Sequence, residues 1–320
     1  MRALFAVLFL SLVTTTWAQP HLPNFPARTV RMVVGFAPGG GTDIMARLVA
    51  QKLAERWGQA VVVDNRPGAS GNIGAELVAR AAPDGYTLLM AFSSHASNPA
   101  LSKLSFDINK DFTAISQVAS GPAVVIANPG VPGRNLAGVI AHARANPNAI
   151  KYGSSGIGTP VHLAGELMKQ MTRTEMVHVP YKGIAPAMTA ILAGDIQLSY
   201  ATPLSALAQL KAGKLIGLAV AAPTRFPSLP DVPTAAEAGL PGYEVDFWYG
   251  LFGPAGMPAA LVDRIQKDLA AVLTTPEVKE SLLAQGCVAV AGRPEALNAL
   301  VARDYELWVK VVKAGGVKVE

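Results

Sequence analysis

Two α/β domains with a cleft between them are what the sequence predicts, and three observations carry the prediction. Short apolar strands alternate with amphipathic helices along most of the chain, the pattern of parallel sheets with helical crossovers. A strand, a glycine-rich turn and a helix start at Arg31 to Asp43, and the same unit recurs at Ile150 to Thr159. Two extended apolar runs, Gly121 to Ala127 and Val245 to Leu251, can carry the chain from one sheet to another and back. The expected division is 26–121 plus 247–320 for the first domain and 122–246 for the second, with 1–18 removed as a leader.

The first unit organises the rest. Arg31 to Val34 reads as a short buried strand, and Gly35 to Gly41 turns the chain with four glycines and a proline. Thr42-Asp43 then opens a helix, because Ile44, Met45, Leu48, Val49, Leu53 and Trp57 recur at helical spacing. Such a turn aims free backbone N–H groups and the positive end of a helix dipole at one spot, which suits an anion. Neither nucleotide fingerprint fits. The third glycine of G-x-G-x-x-G would stand where Ile44 is, and no lysine follows the glycines as a phosphate loop requires.

The elements follow in order. Ala60 to Val63 is a strand, Asn72 to Ala81 a helix, and Pro83-Asp84-Gly85 turns into the strand Tyr86 to Ala91. The polar loop that follows, with Ser93 and Asn98, lies at the carboxyl end of that strand, where open α/β sheets bind ligands. Phe112 to Ala119 and Ala123 to Ala127 are further apolar runs, and Leu136 to Ala145 is a helix.

The second unit places Gly153 to Gly158 after the strand Ile150 to Tyr152, with Thr159 as N-cap and Pro160 in the first helical position. Met176 to Pro180 is a strand, Tyr181-Lys182-Gly183 a loop and Ala185 to Ala193 a helix. Asp195 to Tyr200 is a strand ending at Ala201-Thr202-Pro203, before the helix Leu204 to Ala212 and the strand Leu215 to Ala221. Glu244 to Phe252 returns as a long strand, and three proline-led helices close the chain: Pro258 to Leu273, Pro276 to Gln285 and Pro294 to Lys313.

Composition narrows the function. Arg2, the apolar run Ala3 to Val13 and Thr16-Trp17-Ala18 form a cleavable secretion signal, whose apolar core is shorter than the roughly 20 residues that span a bilayer. Cleavage after Ala18 leaves 302 residues, 26 basic against 22 acidic, a net charge of +4. The basic residues are scattered, which argues against nucleic acid. A single cysteine, Cys287, leaves no internal disulfide and no cysteine-based metal cluster. The expectations are a periplasmic monomer with no cofactor and no metal.

Catalytic patterns are missing. Gly153-Ser154-Ser155-Gly156-Ile157 lacks the last glycine of a nucleophile elbow, and H-E-x-x-H does not occur. The five histidines show no metal-ligand spacing.

Several long segments resemble one family: Val34 to Asp43 (V-G-F-A-P-G-G-G-T-D), Val62 to Gly74 (V-V-D-N-R-P-G-A-S-G-N-I-G) and Ala82 to Leu88. Tyr152 to His162, Val179 to Gly183 and Gly213 to Ala219 match it too. The resemblance, over the whole mature chain, is to the Bug receptors, the periplasmic substrate-binding components of tripartite tricarboxylate transporters. It implies a type II periplasmic-binding-protein fold closing on a small carboxylate, with the transporter's membrane subunits as partner. The family's carboxylate loops map onto Ala37, Gly39, Gly40 and Asp43, and onto Ser154, Ser155, Gly156 and Thr159.

Ser93, Asn98, Tyr181 and Lys182 stand on neighbouring loops and complete the candidate set with Ala201, Thr202, Phe247 and Trp248. Many members carry an acid where this chain has Ala201, leaving no obvious partner for an ammonium. The expected ligand is therefore an amine-free carboxylate, with Phe247 and Trp248 offering an apolar wall. A sensory receptor for a membrane signalling protein and an exported enzyme are the alternatives.

Overall fold

The computed structural model describes residues 25–101 and 103–315. The expected leader, 1–18, lies outside them. The first sheet has six strands in the order β11-β4-β10-β3-β1-β2, built from β1 (Val30–Val34), β2 (Val61–Asn65), β3 (Thr87–Phe92), β4 (Phe112–Pro122), β10 (Asp246–Pro254) and β11 (Val288–Ala289). The second has five in the order β7-β6-β8-β5-β9: β5 (Val124–Ala127), β6 (Lys151–Ser154), β7 (Val177–Pro180), β8 (Leu198–Ala201) and β9 (Ile216–Val220). Each sheet mixes parallel with antiparallel pairs: β10 against β3 and β4 and β11 against β4 are antiparallel in the first, β5 against β8 and β9 in the second.

Helices cover both faces of each sheet. On the first sheet, α1 (Gly41–Trp57), α8 (Ala259–Leu273) and α9 (Pro276–Ala284) pack one face, with Met32, Val34, Leu88, Met90 and Leu251 beneath them. On the other face α2 (Asn72–Ala79) and α10 (Pro294–Gly315) meet Val33, Leu89, Ala91, Trp248 and Phe252. The alternation along each strand is the two-residue period of a sheet buried on both sides. On the second sheet α4 (Leu136–Ala145) and α5 (Pro160–Thr172) cover one face, and α6 (Ile184–Ala193) and α7 (Pro203–Lys211) the other. Cys287 is fully buried beside these cores, and burial pushes its thiol up to about 12, which makes it an inert packing group.

Three local expectations change. The polar stretch after β3 winds into a short helix, α3 (Ser94–Ser97), rather than an open loop. The run from Phe112 is one strand reaching Pro122, so only Ala123 separates it from β5. The two-residue β11 left no pattern in the sequence to read; it forms because Val288 and Ala289 pair with Ser120 and Ala119.

Ala123 is where the chain passes between sheets, and Val245 is where it comes back. The Ala123 N–H donates to the Val245 carbonyl at 2.8 Å, Ala221 N–H to Ala123 at 2.8 Å, and Val245 N–H to Ala221 at 3.0 Å. The crossing segments therefore lie side by side, each holding the other through backbone bonds. Among the described residues no helix is long and apolar enough to cross a membrane.

Candidate functional site

The opening glycine turn and the N-terminus of α1 face the second sheet's Ser/Gly loop. Gly40 is the N-cap of α1 in extended backbone, and no side chain caps the helix. Asp43 does not serve as the cap. Its carboxylate accepts from the Gly39 N–H at 2.9 Å, from Asn65 Nδ2 at 3.0 Å and from Arg47 Nε at 2.9 Å. Burial works against its charge, but the Arg47, Gly39 and Asn65 bonds outweigh it and hold the carboxyl below its ordinary value. Asp43 thus anchors the turn from behind, and the first-turn N–H groups of α1 stay open in front.

Opposite them, the hydroxyls of the second loop divide into used and unused. Ser154 Oγ lies 2.6 Å from His178 Nε2 and exchanges bonds with the Gly156 backbone at 3.1 Å. Thr159 Oγ1 donates to the Gly156 carbonyl at 2.7 Å and accepts from the His162 N–H, as an N-cap does. Ser155 Oγ is buried, 4% exposed, and has no partner among the described residues. It lines a cavity of about 30 Å³ together with Gly40, Gly41, Thr42, Ala201 and Thr202. The remaining wall is Ser205 and the apolar or aromatic residues Phe36, Phe92, Val161, Ile184, Phe247 and Tyr249. None of the lining residues is charged. That volume suits about two waters or one small polar group.

Through Phe36 and Ser155 the cavity adjoins a groove of about 840 Å³, open to solvent. Gly156, Tyr181 and Lys182 line the groove, with Lys103, Phe106 and the segment Gly68 to Ile73 on the facing side.

The two lobes touch around the cavity. The Ala37 N–H donates to the Lys182 carbonyl at 3.2 Å, Ser97 Oγ to the Gly158 carbonyl at 2.7 Å, and Ser70 Oγ to the Ile157 carbonyl. On the far side Thr202 Oγ1 and Tyr249 OH are 3.2 Å apart. These four contacts bring the lobes together over the cleft.

The candidate residues fall into groups. Gly40, Ser155, Ala201, Thr202 and Phe247 meet at the cavity, and Gly156, Tyr181 and Lys182 at the groove. Ala37, Gly39, Asp43, Ser154 and Thr159 shape the two loops through the bonds above. Asn98 donates to the Ser70 carbonyl at 3.0 Å and to Asn72 Oδ1 at 2.8 Å, holding the segment that reaches Ile157. Ser93 is buried with an unpartnered hydroxyl but does not line the cavity. Trp248 corrects the expected pairing with Phe247. Its Nε1 donates to Asp304 at 2.7 Å and its ring packs on the opposite face of β10. Successive strand residues point to opposite faces, so the partner of Phe247 is Tyr249, two residues on. That period was readable in the sequence; the contributions of Gly41, Thr42 and Ser205 were not.

Two buried histidines, His95 and His162, and the half-buried His178 make the fold pH-sensitive. Burial lowers His95 and His162 from 6.5 to about 4, and lowers His178 to about 3, with His162 and Lys169 adding repulsion there. A folded-state value below the unfolded one gives stability that is full above about pH 6.5 and lost as pH falls towards the folded value. Unfolding near pH 5 should therefore take up two to three protons, about 1.4 kcal/mol per pH unit for each proton taken up. Calorimetric unfolding in buffers of different ionisation enthalpy measures that number; proton uptake below one would contradict it.

Comparison with known proteins gives a consistent set of likenesses. Residues 45–317 match the family described as "Tripartite tricarboxylate transporter family receptor". The chain is 32% identical to Protein BugT of Bordetella pertussis over 324 residues, covering 100% of this chain and 99% of that one. Among solved structures, Rpa4515 of R. palustris with adipate superposes with a TM-score of 0.89 at 36% identity, covering 92% of this chain and 99% of that one. MatC from Rhodopseudomonas palustris with bound malate gives 0.86 at 33% identity, covering 90% and 100%.

Proposed function

Because the chain belongs to the tripartite tricarboxylate transporter receptor family, we propose that it captures a small amine-free carboxylate between its lobes. In this reading it works in the periplasm and delivers its ligand to the transporter's membrane subunits. One observation carries the ligand class. The uncapped N-terminus of α1 and the unpartnered Ser155 hydroxyl converge on a cavity whose lining holds no charged side chain. Oriented N–H groups and a hydroxyl stabilise a carboxylate without a counter-charge. An ammonium in the same place would be buried without a carboxylate to pair it, which is costly.

The cavity admits the carboxylate end, and the carbon skeleton runs past Phe36 and Ser155 towards the groove. Adipate in Rpa4515 and malate in MatC, both amine-free acids, support that class. Titration calorimetry with matched pairs tests it: succinate against aspartate, glutarate against glutamate. Tighter binding of the amine-free member of each pair is expected. Tight binding confined to the amino acids would overturn the reading.

The domain division at 26–121 plus 247–320 and 122–246 follows from the same reading, with Ala123 and Val245 as the hinge. Ligand release then requires the four contacts around the cavity to open while the crossing segments stay paired, a rigid-body hinge. Small-angle scattering should show a smaller radius of gyration at saturating ligand than without it; superimposable profiles would count against the hinge. Secretion with cleavage near Ala18 completes the proposal, and N-terminal sequencing of the periplasmic protein checks it.

A further inference from the structure

Beneath the Ser154–Gly158 loop two imidazoles lie face to face. The rings of His162 and His178 are 3.9 Å apart with an interplanar angle of 18°, and Tyr152 stacks on His178 at 5.0 Å. Neither imidazole lines the cavity. We propose that His178 and His162 are positioning residues for ligand capture, each fixing one part of this loop through one ring nitrogen while protonated on Nε2. The proposal rests on the reading that the loop's Ser155 hydroxyl meets the ligand's carboxylate.

Donor counting supplies the argument. A serine hydroxyl has one hydrogen and can accept two bonds. Ser154 Oγ accepts from the Gly156 N–H at 3.1 Å and faces the Gly156 carbonyl at 3.1 Å and His178 Nε2 at 2.6 Å. All three contacts are satisfied when the hydroxyl hydrogen goes to the carbonyl, whose other lone pair accepts from Thr159 Oγ1 at 2.7 Å, and Nε2–H of His178 donates to Oγ. On the other ring, the Gly158 N–H donates to His162 Nδ1 at 3.1 Å, so the His162 proton is also on Nε2, which faces Glu166 Oε1 at 3.8 Å.

The two rings thereby hold Gly156 and Gly158, whose φ values of +136° and +80° are ones that only glycine adopts readily. Between and beside them stand the groups that act in capture. Ser155 Oγ lines the cavity, and the Ile157 and Gly158 carbonyls receive Ser70 and Ser97 from the other lobe.

Loss of solvation keeps both rings neutral, with Lys169 adding to it and Glu166 opposing it at His162. From α5, Glu166 and Lys169 face the pair, and Lys169 Nζ is bonded to Glu166 at 2.9 Å. From β6, Tyr152 donates its hydroxyl to Glu166 at 2.5 Å, and β8 adds Tyr200; α6 carries no titratable residue. Neutrality matters unequally. A protonated His178 would still donate through Nε2, whereas a protonated His162 would turn its Nδ1 acceptor into a donor against the Gly158 N–H.

Four measurements test the pair. Long-range ¹⁵N correlation on the intact ligand-free protein should find both rings as Nε2–H tautomers; an Nδ1–H tautomer on either ring overturns its assignment. Amide hydrogen exchange, also without ligand, should speed up at least tenfold at Gly156 in His178→Leu and at Gly158 in His162→Leu. His178→Gln and His162→Asn place an amide donor and an amide acceptor near the lost nitrogens, so they should stay within threefold of the parent. Equal exchange in all variants, or no rescue, overturns the proposal. Adipate titration should follow the same order, with at least tenfold weaker binding in the leucine variants. Ser155→Ala separates the two layers: unchanged adipate affinity there counts against the ligand reading, while tautomers and exchange still decide the histidines. If a leucine variant does not fold, the parent's tautomers and the Gln and Asn variants carry the decision.

Discussion

Gly40→Asp should leave the ligand-free protein at least as stable as the parent and still reduce carboxylate affinity by 100-fold or more. Gly40 has φ −85° and ψ 169°, extended backbone that any residue adopts, and it is the uncapped N-cap of α1. Aspartate is a preferred N-cap, better than glycine by a few tenths of a kcal/mol, and its charge gains about 0.3–1 kcal/mol from the helix dipole. Those gains fall on the fold. For the ligand the same substitution spends the free N–H groups and sets a fixed negative charge where a carboxylate must sit. A Cβ at Gly40 would also come within 2.9 Å of Ile184 Cγ2 on the opposite lobe, a clash that opening relieves and closure restores. A 100-fold loss corresponds to about 2.7 kcal/mol. Paired thermal unfolding and calorimetry decide it. Parent-like affinity would mean that the N-terminus of α1 is not where the anion sits.

Ser155→Ala should weaken the carboxylate by about 10- to 150-fold with the melting midpoint unchanged. A hydrogen bond to a charged group is worth about 1.5–3 kcal/mol, and this hydroxyl has no other partner to lose. Thr159→Ala should behave in the opposite way. Its hydroxyl is already committed to the Gly156 carbonyl and the His162 N–H. Losing that cap should cost about 1 kcal/mol of stability, with binding following only through the loop. If Thr159→Ala alone loses affinity at constant stability, the roles of the two hydroxyls are reversed.

Local chemistry by itself determined much of this protein. Strand and helix periods, proline at the first helical positions, Thr159 as a cap and the two glycine turns depend on neighbours a few residues apart, so they could be read in order. The two loops that face each other came from the same reading; the absence of an acid at Ala201 came from the resemblance to the family. Tertiary structure decided which members of those loops remain free. Ser154 and Ser155 are adjacent and chemically identical, yet one is engaged by His178, 24 residues away, and the other is open. Asp43 is held by Asn65 and Arg47, and Trp248 by Asp304, so neither is available to the cleft. The Tyr249–Thr202 contact joins lobes 47 residues apart in sequence. A hydroxyl or a carboxylate is available to a ligand only when nothing else in the folded chain satisfies it. That balance of donors and acceptors is set by distant segments meeting in space, and no local pattern records it.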